Sequence, residues 1–180
     1  MKKRIHILGP SGSGTTTLGK ALSHMLDITF YESDDIYWEE TTLPYSEKRT
    51  IEERVAILEH ITKDNDSWII SGSAISWGEI LLQRSELIIL LYCDEDIRIE
   101  RLKLREYLEF GNRISEGHDM FENHRGFLDW ARRYDSGDLT MRSRVSEEAW
   151  VTKAGCSILR LENRTLKSSI SEVLIKLEDS

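Results

Sequence analysis

Cysteine is nearly missing from this 180-residue chain: there are only two, Cys93 and Cys156, both in apolar stretches that look like strands. They read as buried thiols rather than a disulfide or a metal pair, which suits a reducing cytoplasm. Long apolar runs are also lacking. After the basic Met1-Lys2-Lys3-Arg4 the first run stops at Gly9, too short for a signal segment, and no segment is long enough to span a bilayer. Positive charge is in deficit, with 24 Lys and Arg against 32 Asp and Glu and a net charge of −8, which argues against general binding to nucleic acid or anionic membrane. There is no internal repeat and no low-complexity tract. The length suits one α/β domain over 1–180 better than two.

The most telling absence is a single lysine. Gly9-Pro10-Ser11-Gly12-Ser13-Gly14-Thr15-Thr16 has the G-x-x-x-x-G-K-[ST] spacing of a phosphate-binding loop, with Thr15 where the lysine belongs. Arg4-Ile5-His6-Ile7-Leu8 before it reads as a buried strand. Leu18, Ala21, Leu22, Met25 and Leu26 after it have helical spacing. A strand, a glycine-rich turn and a helix N-terminus make an anion site, because backbone N–H groups converge and the helix end adds partial positive charge. Gly9, Ser11, Gly12, Ser13, Gly14, Thr15, Thr16 and Thr17 are therefore the expected ATP cradle, with the Thr16 hydroxyl placed for Mg²⁺.

Five short apolar runs alternate with helical patterns over 47–62, 77–84, 96–110 and 165–177, which predicts a parallel sheet with helices on both faces. Ligands in such sheets bind beyond the carboxyl ends of the strands. After the second run, in Glu32-Ser33-Asp34-Asp35, Asp34 is the preferred catalytic, metal and substrate carboxylate and Asp35 the next; the same residues suit a helix cap. After the third, Ser71-Gly72-Ser73 forms a turn that can present Gly72 and Ser73 to a substrate, with Trp77 as a wall. Arginines must replace the missing lysine charge around the γ-phosphate, and Arg101, Arg105, Arg142 and Arg144 are the candidates. Segment 111–145 is polar and glycine-punctuated, with aromatic anchors, and reads as a partly helical flap lacking apolar contacts to hold it shut. Its His118, Asp119, Glu122 and His124 do not have the spacing of a metal site. Trp68 and Trp150 read as core.

These motifs occur in the same order in the adenylate-kinase-like superfamily of small kinases, which includes nucleoside monophosphate, shikimate and gluconate kinases, and the chain resembles a member over most of its length. The resemblance implies a P-loop three-layer sandwich, with a five-stranded parallel sheet of order 2-3-1-4-5 and a helical lid at about 111–145. It implies a substrate-binding segment at about 36–64, where Arg49 or Arg54 grips an anionic acceptor. It also implies that the nucleotide base passes Asn163-Arg164-Thr165, so Arg164 joins the cofactor-binding set. The expected function is ATP- and Mg²⁺-dependent transfer to a small acceptor, a nucleoside monophosphate among the candidates, by a cytoplasmic monomer or homodimer. The alternative is a catalytically weak nucleotide-binding regulator or NTPase.

Overall fold

The computed structural model describes residues 2–163 and 165–179. Five strands, β1 (Arg4–Leu8), β2 (Phe30–Glu32), β3 (Trp68–Ser71), β4 (Leu87–Tyr92) and β5 (Ser157–Glu162), form one sheet of order β2-β3-β1-β4-β5. Every pairing is parallel, with Ile5 opposite both Ile69 and Leu87, and Ile88 opposite Ile158. β4 is buried at all six positions because helices cover it on both faces, which is why its sequence is a continuous apolar run. β1 divides its side chains by pleat. Ile5 and Ile7 pack with Leu18, Leu22 and Val173 on one face, and Leu8 packs with Trp68, Ile70 and Trp150 on the other.

The helices are α1 (Thr15–Leu26), α2 (Ser33–Tyr37), α3 (Ile51–Asp64), α4 (Glu79–Arg84), α5 (Glu95–Phe110), α6 (Phe121–Arg132), α7 (Arg144–Val151) and α8 (Leu166–Glu178). The apolar spacing from residue 47 places the start of α3 too early. The helix begins at Ile51, where Thr50 accepts from the Glu53 amide and the Glu53 side chain accepts from the Thr50 amide. Residues 38–48 instead turn back on themselves. Trp38 bridges Lys48 antiparallel, Glu39 N–H donates to Glu47 O, and Arg49 N–H donates to Tyr37 O. Between α5 and α7, Leu128 and Ala131 of α6 pack on Ile99 and Leu102 of α5. Both cysteines are half-buried thiols at strand ends rather than buried within strands. Among the described residues no helix is long and apolar enough to cross a membrane.

Candidate functional site

The loop between β1 and α1 is shaped by three glycines with positive φ: Gly9 at 158°, Gly12 at 82° and Gly14 at 97°. At Gly12 a Cβ would sit 2.7 Å from the Arg98 carbonyl, so α5 packs directly against the loop. Gly14 caps α1, whose first turn carries no acidic side chain to repel an anion. Among the described residues, the amides of Gly12, Gly14, Thr15 and Thr16 donate to no protein acceptor, while Ser13 N–H closes the turn onto Pro10 O at 3.0 Å. Free amides at a helix N-terminus are what a polyphosphate requires, so these residues fit ATP.

The carboxylate nearest this loop is Glu32, the last residue of β2, which the sequence argument passed over in favour of Asp34. Thr16 Oγ1 lies 3.4 Å from Glu32 Oε2, and Lys20 Nζ lies 2.8 Å from Glu32 Oε1. A hydroxyl and a carboxylate are hard oxygen donors, and Mg²⁺ typically takes few protein ligands and completes its shell with water and phosphate, so the pair fits that ion. Among the described residues no cluster of three or more His, Cys, Asp or Glu could hold a metal alone.

Asp34 stands two residues further on, in the first turn of α2. Among the described residues it makes no side-chain hydrogen bond, and it is exposed. Desolvation raises its carboxyl above the usual range; the Arg142 charge opposes this first, Glu32 reinforces it, and Arg105 opposes it again. The four charges therefore converge on one cleft. Asp35 is exposed and sits toward Glu32, Lys20 and Arg49. The N-cap position of α2 is Glu32, with no side-chain cap bond, so Ser33, Asp34 and Asp35 are not capping residues.

The two candidate arginines of the acceptor segment separate clearly. Arg49 donates to the carbonyls of Asp35, Ile36 and Trp38 and lies 3.5 Å from Glu39, so its guanidinium holds the end of α2. Arg54 is only 8% exposed, lies 3.8 Å over the Tyr37 ring and 6.0 Å from Trp77, and has no carboxylate partner. Its Nε is buried without a hydrogen bond. Trp77, expected as a substrate wall, is buried beneath this guanidinium. At the hairpin tip Tyr45 has φ 58° and stands edge-on to Trp38. Burial raises its hydroxyl, and the charges of Glu109, Asp34 and Arg105 reach it, so the tip overhangs the same cleft.

Gly72 is held from both sides: its N–H donates to Ile7 O at 2.8 Å and its carbonyl is 2.9 Å from His6 Nε2. Its amide is thus unavailable to a substrate, and the turn offers the Ser73 hydroxyl. Gly72 has φ 102°, and a Cβ there would meet Ser33 Oγ at 2.0 Å, so this turn and the start of α2 are fitted to each other. Beneath them His6 is fully buried, and desolvation lowers its imidazole to about 4, so the ring is neutral near pH 7 and donates from Nε2.

Segment 111–145 contacts the loop and α5 through several arginines. Arg142 Nη2 donates to Gly9 O at 2.6 Å and its Nε to Glu147 at 2.9 Å, and buried Glu147 also accepts from Tyr134. Arg98, fully buried, joins Asp135 at 2.8 Å to the carbonyls of Ala131 and Ser11. Arg98, Arg101 and Arg105 share one face of α5 by spacing, but packing splits them: Arg98 is fully buried, Arg101 reaches Gly12 O at 3.3 Å, and Arg105 is exposed. Arg144 stacks 4.2 Å over Tyr92 and lines a separate cleft of about 590 Å³ with Arg101, Cys93 and Asn163. Asn163 Nδ2 donates to Ser13 O, which ties the expected base end to the loop. Arg164 lies outside the described residues.

Comparison with known proteins bears on the family and the fold. Residues 5–124 match the AAA domain family. The uncharacterized protein YqaC of Bacillus subtilis (strain 168) is 40% identical over 163 residues, 91% of this chain and 90% of that one. A cytidylate kinase of Methanothrix thermoacetophila is 28% identical over 176 residues, 91% of this chain and 99% of its own length. Among solved structures, shikimate kinase from Acinetobacter baumannii in complex with shikimate superposes with a TM-score of 0.57 at 19% identity, covering 99% of this chain and 94% of the other.

Proposed function

Since this chain belongs to the AAA domain family and has the fold of the adenylate-kinase-like P-loop kinases, we propose that it transfers the γ-phosphate of ATP to a small anionic acceptor. The polyphosphate lies along the amides of Gly12, Gly14, Thr15 and Thr16 at the head of α1. Thr16 and Glu32 hold Mg²⁺, which when bound offsets charge on the phosphate oxygens. Asp34 faces the acceptor and takes the proton where the acceptor is a hydroxyl; its raised carboxyl reflects a desolvated setting suited to that task. Arg105 and Arg142, the cations whose charges reach Asp34, stabilise charge passing between donor and acceptor. Segment 36–64 binds the acceptor, and segment 111–145 covers the site and excludes water, all within one working unit. Arg144, Arg101 and Asn163 border the base of the nucleotide.

Arg54 carries the reading. A nucleotide sensor or plain NTPase has no use for a buried guanidinium set over the Tyr37 and Trp77 rings without a carboxylate partner among the described residues. A group of that kind is left unpaired for a ligand with a carboxylate or phosphate. The test is ADP release from ATP and Mg²⁺ with a panel of nucleoside monophosphates and sugar acids, followed by product identification. Acceptor-dependent ADP is the expected result. ATP binding without turnover on any acceptor would favour the regulator instead.

A further inference from the structure

Resting on the reading of the 9–16 loop as a phosphate cradle, we infer that the missing lysine is replaced from behind the loop. Arg101, backed by Arg98, holds the turn that presents the phosphate-facing amides and adds its charge to the cradle from the outer side.

The carbonyls of the loop are all engaged. Pro10 O accepts from Ser13 N–H and Gly14 O from Leu18 N–H, both inside the motif. Gly9 O accepts from Arg142, Ser11 O from Arg98 at 3.5 Å, Gly12 O from Arg101 at 3.3 Å and Ser13 O from Asn163. A carbonyl and the next residue's N–H belong to one peptide unit, so a cation on the oxygen makes that N–H a stronger donor. Arg98 therefore acts on the Gly12 amide and Asn163 on the Gly14 amide, whereas Arg101 acts on the Ser13 amide, which bonds Pro10 O, so Arg101 tightens the turn that presents its neighbours to phosphate. The Gly9 carbonyl precedes Pro10, which has no N–H, so Arg142 fixes the loop there without strengthening a donor.

The two guanidiniums on α5 differ in free charge. Arg98 is fully buried and paired with Asp135 at 2.8 Å, so its field is largely cancelled and it serves as the anchor. Arg101 is in no ion pair among the described residues; besides Gly12 O it touches the Cys93 thiol at 3.5 Å. It is an uncancelled cation against the outer side of the turn, and its positive potential adds to that of the cradle and the helix end. Arg101 is thus a positioning residue: it orders and polarises the loop. A lysine at position 15 would supply the same charge from within.

Binding of inorganic tripolyphosphate with Mg²⁺, followed by calorimetry, tests this without base, acceptor or turnover. Arg101 is on the surface side of α5, so its variants should fold. Arg101→Met should weaken binding by about tenfold, equivalent to 1.4 kcal/mol, and Arg101→Lys should keep most of the affinity. In a Thr15→Lys background the loss on Arg101→Met should shrink to about threefold or less, because the inserted ammonium supplies the charge. An equal loss in both backgrounds would make Arg101 a structural prop, and no loss in the native background would remove it from the cradle; either overturns the inference. In the ligand-free protein Arg101→Met should also move the Ser13 amide proton upfield. Lost affinity with an unmoved Ser13 amide would mean direct phosphate contact and would also overturn it. Failure to transfer phosphate to any acceptor leaves these measurements intact, whereas failure of the unaltered chain to bind tripolyphosphate sinks both readings.

Discussion

Replacing Arg54 by methionine separates function from stability in a way few other positions here allow. The guanidinium is 8% exposed, lies 3.8 Å from the Tyr37 ring centre, and leaves Nε without a partner. Its stacking on aromatic rings is worth about 2 kcal/mol when desolvated. Against that, an unpartnered buried donor costs about 1–3 kcal/mol, and a buried charge without a counter-ion costs more. The methionine stem keeps much of the packing while removing the charge. The relief of the donor and the charge matches or exceeds the lost stacking, so Tm should hold or rise, by roughly 2–4 °C per kcal/mol for a chain of this size. Acceptor use should behave quite differently. A charge-assisted contact is worth about 1.5–3 kcal/mol, so kcat/KM for the acceptor found in the ADP-release screen should fall roughly 10- to 100-fold. ATP affinity should not move. A Tm drop of more than about 5 °C with unchanged acceptor kinetics would show that Arg54 is a core residue and would refute the reasoning.

Gly14→Val should abolish ATP binding in calorimetry, because φ is 97° and a Cβ would lie 2.6 Å from Asn163 Nδ2; a folded variant with normal affinity would remove the loop from the account. Asp34→Asn should cost about a hundredfold or more in transfer rate. Its carboxyl is raised in the folded state, so the native chain loses stability as pH rises through that value while the Asn variant does not. Denaturant melts should therefore show the variant's relative stability growing from pH 3 toward pH 7. For His6 the sign is opposite: lowered from 6.5 to about 4, it leaves the unfolded chain taking up a proton that the native chain refuses, so stability falls as pH drops through that window. His6→Gln should flatten that slope, worth up to about 3 kcal/mol, and an unchanged slope would place the acid sensitivity elsewhere.

Much of this architecture was legible because strands buried on both faces leave continuous apolar runs, as in Leu87 to Tyr92, and because the loop spacing fixes what precedes and follows it. The start of α3 was also readable: Thr50 with Glu53 three residues later is a capping signature that apolar spacing alone obscures. Glu32 was quoted in the acidic run and missed because its importance depends on the strand end bringing it to Thr16, a contact across sixteen residues. The 38–48 hairpin has no periodicity to betray it; it is held by the Trp38–Lys48 bridge, the backbone bonds of Glu39 to Glu47 and Arg49 to Tyr37, and Lys48 lying 5.6 Å over Trp38. The fate of Arg98 could not be read from its helical position, because Asp135, Ala131 and Ser11 meet it only once α6 has packed on α5.

If segment 111–145 is the cover proposed above, the bond from Arg142 to the Gly9 carbonyl would hold it down on the loop. A cover that springs open by default would set the speed of the cycle by how fast it folds down over its substrates. One that rests on the loop reverses the order: the delay lies in lifting it, once to admit nucleotide and again to let product leave. Measured affinity is then the intrinsic affinity multiplied by the fraction of time the cover stands open. Removing the Glu147 carboxylate that holds Arg142 would then make the chain bind faster and release faster, at the expense of a site that no longer keeps water out.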